Sequence, residues 1–243
     1  MKWLLILGAT SDIARACAHR FAADGFNLVL AARNPDALGS DTKDLKIRYG
    51  VEVKTVPFDA LATEGHYSFF QSLDPVPDGV LCAIGTMEGN EDAMSDPEKL
   101  KAIMDTNLIG PAAFLTLAGA AFRERGSGFI IGISSVAGNR GRGSNYPYGS
   151  AKAGFTAFLS GLRNSLNENG VQVITVLPGF VRTKMTENMD LPASLTAEPG
   201  RVAEDVFRAF EKKKSIVYTP WIWRWIMLII QHIPEFIFKR MKL

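Results

Sequence analysis

A chain of 243 residues, 47% hydrophobic and 21% charged, has the material for a substantial core, which excludes a disordered polymer. Its net charge of +2 is too small to argue for a nucleic-acid partner. Cys17 and Cys82 form no CxxC pair, and His19, His66 and His232 are scattered, so the reading is buried thiols in a reducing compartment, structural or surface histidines and no metal.

Strands and helices alternate along the chain. Trp3–Leu7 is an apolar run suited to a strand buried on both faces. Only five residues long and followed by a glycine turn, it does not read as a secretory signal, so an intracellular, cytoplasmic chain is expected. Residues 8–12 turn into a helix over 13–23, where Ile13, Ala16, Cys17 and Phe21 share a face and Gly25 stops it. Asn27–Ala32 and Val51–Phe58 read as the second and third strands, Gly79–Ile84 as the fourth. Helical character from Met94 to Phe122 is interrupted near Asn107 and Pro111. Gly128–Ser134 is the fifth strand, Tyr148–Asn167 a long helix, Val171–Leu177 the sixth strand and Ser215–Tyr218 a seventh. Repeated strand–helix units with doubly buried strands predict one α/β domain, a parallel sheet of about seven strands with helices on both faces. Ligands of such sheets bind at the carboxyl ends of the strands, where Gly8, Ala32, Asp59, Gly85, Ser134, Ser135 and Pro178 fall.

Chemistry concentrates around Ile133-Ser-Ser-Val-Ala-Gly138 and Asn145-Tyr-Pro-Tyr-Gly-Ser-Ala-Lys152. Tyr148 and Lys152 are one helical turn apart on one face, so the ammonium is expected to favour the phenolate and lower a pKa ordinarily near 10. A tyrosine tuned in that way exchanges a proton with an alcohol or ketone oxygen, and a serine hydroxyl at a strand end can hold the same oxygen. Alone, the pair reads better as a surface helix pair with a solvated ammonium. The first turn, Gly8-Ala-Thr-Ser-Asp-Ile-Ala14, offers helix-start amides to phosphate oxygens, though with one glycine it also reads as an ordinary turn capped by Ser11 or Asp12. After the second strand no carboxylate occurs between Asn27 and Pro35. Arg33 is available there for a ribose 2′-phosphate, which favours NADP(H) over NAD(H).

Taken in order, these segments resemble the short-chain dehydrogenase/reductase superfamily over roughly residues 3–220. Residues 8–14 stand where that family has TGxxxGxG, Asn107 where it has an asparagine supporting a water-linked proton relay, and Pro178-Gly-Phe-Val-Arg-Thr183 where it has PGxxxT. Ser135, thirteen residues before Tyr148, matches the catalytic serine better than Ser134 does. The resemblance implies a single-domain, doubly wound Rossmann-type fold and an NAD(P)H-dependent oxidoreductase interconverting a secondary alcohol and a ketone. It makes Tyr148 the general acid or base, Ser135 the holder of the substrate oxygen, Lys152 the partner of the nicotinamide ribose and Asn107 a support for the relay. It assigns the cofactor to Gly8, Thr10, Ser11, Asp12, Ile13, Arg33, Asp59, Gly85, Pro178, Gly179, Val181 and Thr183, together with Tyr148 and Lys152. Two family glycines are replaced, by Asp12 and Ala14, and the family's Asn-Asn-Ala-Gly reads Cys82-Ala-Ile-Gly85; the Thr-Ser-Asp-Ile turn is similar to that of divergent members such as decaprenylphosphoryl-2-ketoribose reductases. The alternative is a catalytically silent nucleotide-binding or scaffolding protein on the same fold, a type that tends to lack the tyrosine or the lysine.

Residues 1–219 therefore read as the dinucleotide-binding unit and 220–243 as an apolar tail. The tail carries Trp221, Trp223 and Trp225, ends on Lys239, Arg240 and Lys242, and is too interrupted for a single membrane crossing. Three readings stand: packing on the domain or on a second subunit, a lid over an apolar pocket shaped with the loop 180–199, or a peripheral contact with lipid headgroups. The expected substrate is a small or lipid-linked carbonyl or alcohol, and a homo-oligomer is expected because the family pairs the helices that carry Asn107 and Tyr148.

Overall fold

The computed structural model describes residues 2–87 and 90–241; Lys242, counted above among the basic residues of the tail, lies outside them. Seven parallel strands form one sheet: β1 (Trp3–Leu7), β2 (Asn27–Ala32), β3 (Val53–Pro57), β4 (Gly79–Cys82), β5 (Gly128–Ile133), β6 (Val171–Pro178) and a last strand, Ile216–Thr219. Their spatial order is β3-β2-β1-β4-β5-β6 and then the last strand. The chain runs outward from β1 to β3, then returns to the other side of β1 with β4. That reversal opens a crevice at the carboxyl ends of β1 and β4.

Alternation along each strand divides the core. Leu4, Ile6, Leu28, Leu30 and Ile131 pack on α1 (Asp12–Ala22), with Leu45 of α2 (Gly39–Tyr49) in the same cluster. Trp3, Leu5, Leu7, Val29 and Ile130 face the other way, onto α3 (His66–Gln71) and two long helices described next. Both faces being covered, the strands read as unbroken apolar runs. Cys17 and Cys82 are buried free thiols, pushed up to about 12 and about 11 by dehydration.

The interruption expected near Asn107 is a change of pitch. Helix α4 (Pro97–Met104) widens over residues 105–109, where the Gly110 amide donates to Asp105 O five residues back, and continues as α5 (Gly110–Arg125). Helix α6 (Tyr146–Leu166) starts two residues before Tyr148. After β6 come a two-residue parallel pair, β7 (Phe180–Val181) with β8 (Thr196–Ala197), then α7 (Pro199–Glu211) and the edge strand β9 (Ile216–Thr219). α7 closes the α1 face through Val202, Val206 and Phe207.

The tail folds as α8 (Trp223–His232) and α9 (Glu235–Phe238). Trp223 and Met227 are buried with Val136 and Leu177, and Phe180 packs against them. Arg140 donates to the carbonyls of Ile230 and Ile233 and pairs with Glu235 at 2.9 Å, holding the end of α8 on the loop after β5. The opposite face of α8 is exposed and apolar, Trp225, Leu228 and Ile229 among its residues. No helix among the described residues is long and apolar enough to cross a membrane.

Candidate active site

Beyond β5 the backbone stays extended through Ser135 (φ −166°, ψ 152°) before turning. Ser135 Oγ accepts from the Ala137 amide at 3.1 Å, and its hydroxyl is close enough to the Tyr148 phenol to lower its pKa. Ser134 points into α6 instead, donating to Lys152 O at 3.0 Å and pairing with Thr156 Oγ1 at 2.7 Å. Side chains alternate along extended backbone, so of two adjacent serines only one meets the tyrosine.

Tyr148 and Lys152 occupy successive turns of α6 and both are buried. The ammonium lies 5.8 Å from the phenol ring centroid and donates to Ile133 O at 3.2 Å and Ile84 O at 3.4 Å, binding α6 to the ends of β5 and β4. Burial pushes the Tyr148 phenol up to about 12, with the Ser135 hydroxyl pulling it down less strongly. The direction is opposite to the one expected from the Tyr148–Lys152 spacing. One-turn spacing says nothing about dehydration, and here the ammonium is directed at carbonyls of the strand ends. Burial also lowers Lys152 to about 8, against a weaker raising influence of Cys82.

Asn107 is fully buried, with Oδ1 accepting from the Thr86 amide at 3.1 Å and Nδ2 donating to Thr86 O at 3.0 Å and Ile103 O at 2.9 Å. It stands behind Gly85, where a Cβ would lie 3.0 Å from both Asn107 Oδ1 and Lys152 Nζ. Asn107 thus fixes the strand-end backbone beside the lysine and is not part of the cleft wall.

A cleft of about 490 Å³ joins the remaining candidates. Gly8, Thr10, Ser11, Asp12 and Ile13 line one side, Arg33 and Asp59 follow β2 and β3, Gly85 follows β4, and Pro178, Gly179, Val181 and Thr183 follow β6. Gly8 has φ +73°, and a Cβ there would stand 3.1 Å from the Ala83 carbonyl, so the turn over β4 needs glycine. Ser11 caps α1, accepting from the Ala14 amide at 3.2 Å. The Asp12 carboxylate accepts from the Lys184 amide at 2.8 Å, tying the first turn to the segment after β7. Asp59 Oδ1 accepts from the Leu61 amide at 3.0 Å, and Arg33 has no ion pair among the described residues. A positive-φ glycine, a helix start and an unpaired arginine in one elongated cleft fit a dinucleotide with its phosphates over α1.

Other wall residues are not assigned singly from the sequence, although Met185 and Met189 fall in the loop 180–199 expected to shape the pocket. Thr86, Arg142, Asn145, Met185 and Met189 also line the cleft, from loops without periodicity, and only their position between recognised segments singles them out. Buried Asn90 accepts from the Tyr148 amide at 3.2 Å and donates to Ser144 O at 3.3 Å, holding the start of α6.

Residues 2–193 match the family model described as short chain dehydrogenase. The chain is 38% identical over 242 residues to an uncharacterized oxidoreductase of Mycobacterium tuberculosis, covering 98% of this chain and 96% of that one. It is also 38% identical over 244 residues to an uncharacterized oxidoreductase of Streptomyces coelicolor, covering 98% and 95%. Among solved structures, a short-chain dehydrogenase from Sphingobium yanoikuyae in complex with NADPH is similar with a TM-score of 0.83, 22% identity and 97% of each chain covered. A bulky-bulky ketone specific alcohol dehydrogenase from Comamonas testosteroni is similar with a TM-score of 0.81, 22% identity and 97% and 96% covered. The chain belongs to the short-chain dehydrogenase family and is an NAD(P)-dependent oxidoreductase acting on CH–OH donors.

Proposed function

We propose that this protein reduces a ketone to a secondary alcohol, or runs the reverse reaction, with Tyr148 moving the proton and NADP(H) preferred over NAD(H). The observation that carries this reading is that Ser135, Tyr148 and Lys152 line one cleft that continues to the first turn and Arg33. The nicotinamide cofactor, when bound, supplies the hydride. Ser135 orients the carbonyl oxygen, and Tyr148 Oη, a phenol at neutral pH, donates to that oxygen as negative charge develops there. Lys152 holds the ribose end of the cofactor and places positive charge near the phenolate that results. Gly8, Thr10, Ser11, Asp12 and Ile13 hold the phosphates, Asp59 the adenine, and Gly85, Pro178, Gly179, Val181 and Thr183 the nicotinamide half, with Arg33 on the 2′-phosphate. The solved structure bound to NADPH supports the cofactor reading by analogy.

The test is NADPH oxidation across a ketone panel, comparing the intact protein with Tyr148→Phe at matched NADPH affinity. The expected loss is about 10²–10⁴-fold. Undiminished reduction by Tyr148→Phe means that another group gives the proton, and NADPH binding by the intact protein with no reduction of any ketone would favour the catalytically silent alternative.

We extend the reading to the partners. The exposed face of α8, with Ile229 68% exposed, lies beside Arg224 and precedes Lys239 and Arg240, a combination suited to anionic headgroups. Flotation with phosphatidylglycerol vesicles tests it: Ile229→Glu should abolish binding, whereas a change of oligomer size in light scattering with no vesicle binding assigns the face to a second subunit. The homo-oligomer expected through α5 and α6 is tested by the same light scattering.

A further inference from the structure

Arg142 has no counter-charge among the described residues. It stands in the loop between Ser135 and Tyr148, half-buried, and lines the cleft beside Asn145. Its Nε and the Oδ1 of Asn145 are shut off from solvent and have no hydrogen-bond partner among the described residues. Nη2 meets only the thioether of Met227, 3.5 Å away, a weak acceptor. No carboxylate among the described residues is within ion-pair distance of it. Dehydration lowers its pKa, yet a guanidinium stays protonated in a protein. A partly dehydrated charge that lacks a partner is unfavourable, and the fold does not leave its neighbours so. Arg140, two residues away, is bonded to carbonyls and to Glu235, and Arg163 donates to Val173 O at 2.9 Å.

Strand order decides whose anion it awaits. The first turn follows β1 and Arg33 follows β2, whereas Arg142 follows β5, two strands beyond β1 in the sheet. Neighbouring strands are about 4.8 Å apart, so the loop of Arg142 starts roughly 10 Å from the helix start that suits the cofactor phosphates. Val136, Phe180, Met185 and Met189 also line the cleft and add apolar surface to it.

We propose that Arg142 is a specificity-determining residue that selects substrates carrying an anionic oxygen group, a carboxylate or a phosphate ester, in addition to the reacting carbonyl. The inference rests on the reading of Tyr148 as proton donor, since that places the substrate beside Arg142.

Two matched pairs test it: benzoylpropionate against its methyl ester, and dihydroxyacetone phosphate against dihydroxyacetone. Turnover with NADPH and direct calorimetric binding to the protein–NADPH complex are both measured. The acid or phosphate should be preferred, and the pair with the larger preference identifies which anion is recognised. Arg142→Gln should lower kcat/KM for that anion on the order of 10–100-fold, mainly through KM, and leave the neutral partner within a few fold. Arg142→Lys should recover part of the loss. Equal handling of the charged and neutral members by the intact protein, or a preference untouched by Arg142→Gln, overturns the proposal. Tyr148→Phe run on the same pairs separates the two ideas. If it abolishes reduction while Arg142→Gln changes no preference, only the anion selection fails; if it leaves reduction intact, the underlying reading fails.

Discussion

Lys152 and Tyr148 both carry the mark of dehydration, and their opposite shifts predict a pH profile for stability. Lys152 falls from the ordinary 10.5 to about 8 on folding. Between those values the unfolded chain holds more protons at this lysine, so its own contribution to stability rises with pH over that window. Tyr148 climbs from 10.0 to about 12, so the folded chain keeps its proton longer and stability falls as pH rises through that interval. Denaturant unfolding of Lys152→Met should lose the rise between pH 8 and 9, above which the buried Cys17 and Cys82 thiols oppose it by keeping protons that the unfolded chain gives up, and a retained rise would place its source in another group. The identity of Tyr148, Lys152 and Ser135 as a set was legible in the sequence, because spacing along a helix and position at a strand end are local properties. Their protonation was not, since it depends on how many atoms from other elements exclude water. Arg142 was invisible for the same reason: a missing partner is a fact about every neighbouring element.

Among the elements, α8 is placed by a close approach at Gly179 as well as by the Arg140 bonds to its end. The Trp223 ring lies over Gly179 so tightly that any Cβ there would collide with its indole, and Trp223 Nε1 donates to Leu195 O at 3.1 Å. Gly179→Ala should therefore displace α8 and cost about 1–3 kcal/mol. For a chain of this size each kcal/mol lowers Tm by about 2–4 °C, a shift that calorimetry resolves. An unchanged Tm would mean that the tail does not press on the segment after β6. Three tryptophans at alternate positions gave no means of telling which is inside; the phase of α8 buries Trp223 and leaves Trp221 and Trp225 exposed. Asp12 makes a second such link between elements. It takes the place of a family glycine, and its bond to the Lys184 amide spans residues 172 apart in the chain, which no local pattern foretells.

At the scale of the whole molecule, ligand binding should be readable as stability, because the cleft draws its walls from the ends of β1 through β6. A cofactor present at 100 times its Kd adds about 2.7 kcal/mol. NADPH is expected to raise Tm more than NADH at equal concentration, and Arg33→Ala to remove the difference; a larger shift with NADH would overturn the 2′-phosphate argument. The sequence by itself determined the fold class, the strands to within a few residues at their ends, and the family, because apolar runs, helical spacing and ordered motifs are written along one dimension. It also placed the turn after β1 at a helix start, where amides without helical partners favour anions. Only the tertiary structure decided the order of strands around β1, the wide turn that carries Asn107, the tail's docking on Gly179 and the solitary charge of Arg142. Each of these depends on which distant segments exclude water from, or bond to, a given group, and that is settled when the sheet assembles.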